Sequence, residues 1–257
     1  MTEQSFAQLG RVSGFRIGDV LSRSFSLYFK KLPLYYLVGL VVTAPNLYFV
    51  MQSVNLTPTT VDGRQVLPPG YWLTISLLLG VSVVCYAIEY AALIHIALQD
   101  LRGRPVEAGM TVSRILSRTL PILAALFFSW FAVTLSALLL IVPAFIVWMM
   151  LSVVVPACVD DTPNPFTAMA RSAELTKGNR WRLFGIHIIY IIVLIVFSLL
   201  QQGALAASVS RQTMMLLSFP LGVALSSWSA VLSATMYSAL RVAKEGVEGD
   251  HIATVFD

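Results

Sequence analysis

Glu89 is the residue of this 257-residue sequence whose type and setting most invite chemistry. It stands inside the apolar run Tyr71–Gln99, eleven residues before Asp100, or roughly 16 Å along a helix at about 1.5 Å per residue. An ionisable group at that depth in an apolar medium is costly, which makes it a candidate intramembrane site. One reading is a proton or cation relay, or a partner for an amine headgroup. The favoured reading is a neutral carboxyl hydrogen-bonded between packed helices, because desolvation disfavours the charged form. His95 and His187 lie at similar distances from the inner ends of their own apolar runs, so they are expected to share a depth and to be able to face one another. Cys85, Glu89 and a histidine would supply metal-ligand types. Glu89 and His95, however, are six apart and point to different faces of a helix, so helix-packing polar residues are preferred to a metal site and no cofactor is expected. Asp160-Asp161 reads as the exit of a span rather than as a catalytic carboxylate pair. With no phosphate-cradling glycine loop and no nucleophile–base constellation, the chain is read as non-catalytic.

The elements that must position these residues follow from composition. Hydrophobic residues make up 57% of the chain and charged residues 12%, against roughly 25% charged in soluble domains. A soluble fold could not hide so much apolar surface. Leu120 to Val159 runs forty residues without a charged side chain. As one helix it would reach about 60 Å, twice a bilayer core of about 30 Å. Pro143 interrupts it, so the sequence predicts two spans folded back near Ile141–Pro143. Spans are expected near Leu32–Met51, Tyr71–Gln99, Leu120–Val142, Pro143–Val159, Leu183–Leu200 and Met214–Leu240. The expected fold class is all-α: a polytopic membrane protein with six transmembrane helices.

Lys and Arg set the expected orientation. Residues 1–32 carry Arg11, Arg16, Arg23, Lys30 and Lys31; the second basic segment carries Arg102, Arg104, Arg114 and Arg118; the third carries Arg171, Lys177, Arg180 and Arg182; and the far end carries Arg241 and Lys244. Only Arg64 and Arg211 fall on the opposite side. Fifteen against two predicts that both termini and the basic loops are cytoplasmic. The net charge of +4 then needs no nucleic-acid partner. Residues 1–14 form a polar tail without a signal-peptide pattern, so the first span is expected to target the chain; 15–241 form one membrane domain, and 242–257 a cytoplasmic tail.

Each basic segment leading into a hairpin carries an amphipathic pattern. In the first, Asp19, Arg23, Ser26 and Lys30 oppose Ile17, Val20, Leu21 and Tyr28. In the second, Thr111, Arg114 and Arg118 oppose Val112, Ile115 and Leu116. In the third, Phe166, Met169, Ala170 and Ala173 oppose Arg171 and Glu174, with Asn164 as N-cap, Pro165 in the first turn and Gly178 past the end. Three cytoplasmic interfacial helices are therefore expected, and with the hairpins they suggest a threefold pseudo-repeat over 15–99, 105–159 and 164–241. Such helices bury an apolar face among headgroups while cations meet anionic lipid, which makes Arg23, Arg114, Arg118, Arg171 and Lys177 candidate headgroup contacts. Ser218, Gly222, Ser226, Ala230, Ala234 and Ser238, at every fourth position of the last span, form a small-residue stripe expected to pack against another helix. Asn55-Leu56-Thr57 matches a glycosylation acceptor, a short and weak pattern.

The segments Ile141-Val142-Pro143, Val155-Pro156 and Ala170-Arg171-Ser172-Ala173-Glu174-Leu175-Thr176-Lys177-Gly178, followed by Trp181, carry a resemblance. From Leu139 to Gly185 the chain resembles the membrane domain fused to some bacterial glycerophosphoryl diester phosphodiesterases and found in stand-alone relatives; Asp100-Leu101-Arg102-Gly103-Arg104 looks similar too. The resemblance implies an all-helical, multi-span domain in a bacterial inner membrane. The phosphodiesterase activity of fused members belongs to a separate soluble barrel, whose His-Arg-Gly sequence has no counterpart here, since His95, His187 and His251 are each followed by Ile. The expected function is a non-catalytic membrane module that engages anionic lipid, a partner protein or a second copy of itself. A small permease using Glu89 is the alternative, and a membrane-embedded enzyme comes third.

Overall fold

The computed structural model describes residues 15–54, 59–61, 64–106, 108–206 and 211–246. The 1–14 tail, the Asn55-Leu56-Thr57 pattern and most of the 242–257 tail lie outside the described residues. In chain order the elements are α1 (Ile17–Lys30), α2 (Leu32–Val54), β1 (Thr59–Val61), β2 (Arg64–Val66), α3 (Tyr71–Leu101), α4 (Ala108–Leu139), α5 (Ile141–Met150), α6 (Val154–Asp160), α7 (Pro165–Thr176), α8 (Arg180–Ala206) and α9 (Arg211–Glu245). β1 and β2 pair antiparallel, Thr59 opposite Val66 and Val61 opposite Arg64, and form a small ornament between α2 and α3.

Five stretches are each long and apolar enough to cross a membrane: Tyr71–Leu101, Thr111–Leu139, Ile141–Asp160, Arg180–Gly203 and Leu216–Glu245. α2 makes a sixth when α1 and α2, bent by 80° at their junction, are taken as one span. The chain is thus an all-α, polytopic membrane protein. Its outer surface fits that solvent, with Leu138, Leu139, Leu140, Ile141 and Val142 between 68% and 84% exposed. In water so large an apolar patch would drive association; against lipid it costs nothing.

The turn expected at Ile141–Pro143 falls instead at Leu140, whose backbone is extended. Pro143 occupies the first turn of α5, where a missing N–H breaks no helical bond. A second break, at Leu151–Val153, splits this span into α5 and α6 and was not expected. α7 repairs it: Ser172 Oγ donates to the Met150 carbonyl at 2.7 Å, Thr176 Oγ1 reaches the same oxygen at 3.5 Å, and the Val153 N–H donates to Ser172 Oγ at 3.3 Å. Backbone groups freed at membrane depth must find such partners.

α1 keeps the expected faces, with Val20 and Tyr28 buried and Asp19, Arg23, Ser26 and Lys30 exposed. The other two interfacial helices differ. The second is not separate, because α4 runs unbroken from Ala108 through the span; its buried stripe is Thr111, Ile115, Ile122, Ala125 and Ser129, while Val112 and Leu116 face outward. α7 is separate, and Asn164 Oδ1 accepts from the N–H groups of Phe166 and Thr167 as its cap. Gly178, at φ +88°, takes the left-handed turn that follows it. Its buried face is nevertheless Ala168, Ser172, Leu175 and Thr176, with Phe166 and Ala170 exposed. The apolar side chains Phe166 and Ala170 stay outward, while two hydroxyls turn inward to serve the α5–α6 break. Of the three repeat-like units, only the first and third begin with a separate helix.

α9 is the central element. It packs along α1, α2 and α3, and Ala230, Val231, Ala234, Tyr237 and Leu240 are fully buried. The small-residue stripe is half-buried at Ser218, Gly222 and Ser226 and buried at Ala230, Ala234 and Ser238, as expected of a helix that others approach closely.

Candidate functional site

Glu89 sits where α2, α3 and α9 meet. Its side chain is buried, and Ser226 Oγ, from the stripe, donates to Glu89 Oε1 at 2.7 Å. Among the described residues no basic side chain pairs with it. α2 comes this close because residue 39 is glycine: a methyl group there would stand 2.6 Å from Ser227 Oγ, 3.0 Å from Val223 Cγ1 and 3.1 Å from Glu89 Oε1. Ser227 Oγ in turn donates to the Tyr35 carbonyl at 3.4 Å. The arrangement is a packed junction of three helices, and Glu89 lines neither of the cavities described below.

At the basic end of the bundle the carboxylates organise the helix ends. Asp160, closing α6, accepts from Arg102 Nη1 at 2.8 Å and Nη2 at 2.5 Å, from Arg241 Nη1 at 2.9 Å and from the Tyr237 hydroxyl at 3.3 Å. Asp161 accepts from Arg171 Nε at 3.1 Å. Arg171 also donates to Glu245, which accepts a 3.0 Å bond from Arg241. Burial works against the Arg171 charge, but the Glu245 and Asp161 carboxylates outweigh it and push the guanidinium above its ordinary range. Arg118 Nη1 donates to the carbonyls of Cys158 and Val159, at 2.8 and 2.7 Å, satisfying two orphan acceptors at the end of α6. Asp100 ties down the α1–α2 bend, accepting from Lys31 Nζ at 2.5 Å and the Tyr35 hydroxyl at 2.8 Å.

The two histidines do not face each other. His187 lines a cavity of about 130 Å³ with Tyr86, Tyr90, Tyr190, Ser152 and Ser229, and its Nδ1 lies 2.9 Å from the Leu183 carbonyl. His95 lines a separate, open cleft of about 420 Å³ with Gln99, Gly109, Ser113 and Arg114. Glu89, His95 and His187 therefore belong to three different places. Of the candidate headgroup contacts, Arg118 and Arg171 are committed to protein acceptors, a difference from the expected role, whereas Arg23, Arg114 and Lys177 lie exposed.

The residues that sequence reasoning passed over are Gly39, Asp100, Arg102, Asp160, Tyr237 and Arg241. A signal was present: acids and arginines sit together at the inner ends of the Tyr71–Gln99 run, the Leu120–Val159 block and the last span, which is the pattern of charges that can neutralise one another across helices.

A multi-span helical bundle, closed at its basic end by a carboxylate–arginine lattice and holding one buried carboxyl at a three-helix junction, defines the class as a polytopic membrane protein. Residues 65–243 match the family described as a domain of unknown function (DUF7847), and since this is well over half of the chain, the chain belongs to that family. Comparisons with curated proteins and with solved structures each found no match.

Proposed function

We propose that this chain is a non-catalytic module of a bacterial cytoplasmic membrane that engages anionic phospholipid from the cytoplasmic side. One observation carries the reading: at the basic end, exposed cations stand beside exposed large apolar side chains. Lys30 adjoins Phe29, Arg114 lies among Val112 and Leu116, and Lys177 lies near Trp181 in sequence, all of them exposed. That pairing suits the boundary between headgroups and acyl chains, where apolar groups insert and cations meet phosphate. Reconstituted with equal parts phosphatidylglycerol and phosphatidylcholine, the purified chain is expected to retain phosphatidylglycerol preferentially on native mass spectrometry. Equal retention of the two lipids would remove the lipid reading.

The orientation rests on the fifteen-to-two distribution of Lys and Arg. Reporter fusions after Gly109 and after Thr162 are expected to read cytoplasmic, and one after Asp62 external; the reverse pattern would turn the bundle over. The permease alternative draws on Glu89, a carboxyl buried in a span. Its hydrogen bond to Ser226 and the crowding by Gly39 favour a packed contact over a wet path.

A further inference from the structure

Resting on the lipid reading above, we propose that the cleft between the end of α3 and the start of α4 is a phosphate-group site, filled by the headgroup of an anionic membrane phospholipid. His95 and Gln99, one helical turn apart, share a face of α3. Across from them stand Gly109, Ser113 and Arg114 of α4, and the space between is about 420 Å³, within the range of small-ligand sites. His95 is 7% exposed, makes no hydrogen bond with any described residue and lines the cleft, so its ring can donate to a group that enters there. Arg114 makes no ion pair among the described residues, unlike Arg118 and Arg171 nearby.

The donors available are therefore an imidazole N–H, an amide NH₂, a hydroxyl and a guanidinium, a set that matches the oxygens of a phosphate. The surrounding charge has the same sense. Among the described residues, Arg114, Arg102 and Arg118 act on His95 and Asp160 opposes them, its carboxylate already shared between Arg102 and Arg241. Among the described residues no carboxylate lines the cleft.

What brings the phosphate is argued from the outside of α4. Ser113 and Leu120, seven residues apart, share one helix face, with Leu116 between them. Leu116 is 65% and Leu120 76% exposed, so an apolar ladder leads from the cleft along the outer surface of α4. A phosphate with acyl chains can use both the donors and the ladder, whereas a free phosphate uses only the first.

The test uses the full chain in detergent, with phosphatidylglycerol, phosphatidylcholine, inorganic phosphate and glycerol 3-phosphate as separate probes. Thermal shift and native mass spectrometry supply the readouts. Arg114→Gln is expected to weaken phosphatidylglycerol binding about tenfold, the scale of one charge-assisted hydrogen bond, and Gln99→Ala to weaken it less. Lys244→Gln removes the same charge at an exposed position outside the cleft and is expected to change binding less than twofold. Equal losses in Arg114→Gln and Lys244→Gln would overturn the cleft while leaving a diffuse lipid attraction standing. No preference for phosphatidylglycerol in the unaltered chain would instead remove the lipid reading itself. Stabilisation by inorganic phosphate alone, lost in Arg114→Gln, would keep the phosphate site and assign it to a soluble ligand. Should Arg114→Gln lower the melting temperature without ligand, Gln99→Ala and Ser113→Ala decide in its place, and normal binding by both overturns the site.

Discussion

Asp160→Ala is expected to destabilise the chain by about 3–5 kcal/mol, the scale found when one partner of a buried ionic cluster is deleted. Asp160 is the common acceptor for Arg102 on the segment after α3 and for Arg241 and Tyr237 on α9. Its side chain is 10% exposed, so water does little to screen the contacts. Alanine removes the one carboxylate that Arg102, Arg241 and Tyr237 share. The melting temperature in detergent should fall by about 10 °C or more, given roughly 2–4 °C per kcal/mol for a chain of this size. Asp161→Ala is the internal contrast. Asp161 is more exposed and its partner Arg171 keeps Glu245, so its loss should cost within about 1 kcal/mol. Equal melting temperatures for Asp160→Ala and the unaltered chain would show that the lattice holds nothing together.

Glu89→Leu is expected to cost about 2 kcal/mol, and Glu89→Gln less than about 1 kcal/mol. The difference follows from the junction. Ser226 Oγ donates to Glu89 Oε1, and a Gln carbonyl can accept the same bond, whereas a Leu side chain cannot. Leu also brings a branched end toward Gly39, where only 3.1 Å separates Glu89 Oε1 from the place a Cβ would occupy. Thermal unfolding of the three chains in one detergent gives the comparison. Cellular complementation of a deletion separates packing from proton transfer, since Gln keeps the shape but cannot release and take up a proton at that atom. A stable Glu89→Gln chain that fails to complement would move the permease reading ahead of the lipid module.

The spans were legible because the bilayer imposes a length and an apolarity that forty uncharged residues cannot disguise. The last-span stripe was legible for a related reason: small residues every fourth position mark where backbones approach. Gly39 carried no such mark. Its role depends on Ser227 and Glu89 arriving from two other helices, and nothing within four residues of it announces them. The inward face of α7 was not legible because Ser172 and Thr176 look solvent-seeking until the broken span they serve is known. Arg118 and Arg171 were expected at lipid for a similar reason: a basic residue at a membrane boundary does not reveal whether its acceptor is a headgroup or a neighbouring helix end. The partners of Asp160 lie 58, 77 and 81 residues away along the chain. Adjacent acids at a span exit are too common for sequence alone to pick out the one that three residues converge on.

α9 has a bearing on the order in which the protein is made. It supplies the carbonyl of Ala224 to Tyr28, the hydroxyl of Ser226 to Glu89, that of Ser227 to Tyr35, and both Tyr237 and Arg241 to Asp160. Ribosomes deliver its 35 residues after every helix it joins. The earlier spans must therefore wait in the bilayer with these groups unmatched, held near the translocon or by passing lipids, until the closing helix emerges and the polar contacts are made together.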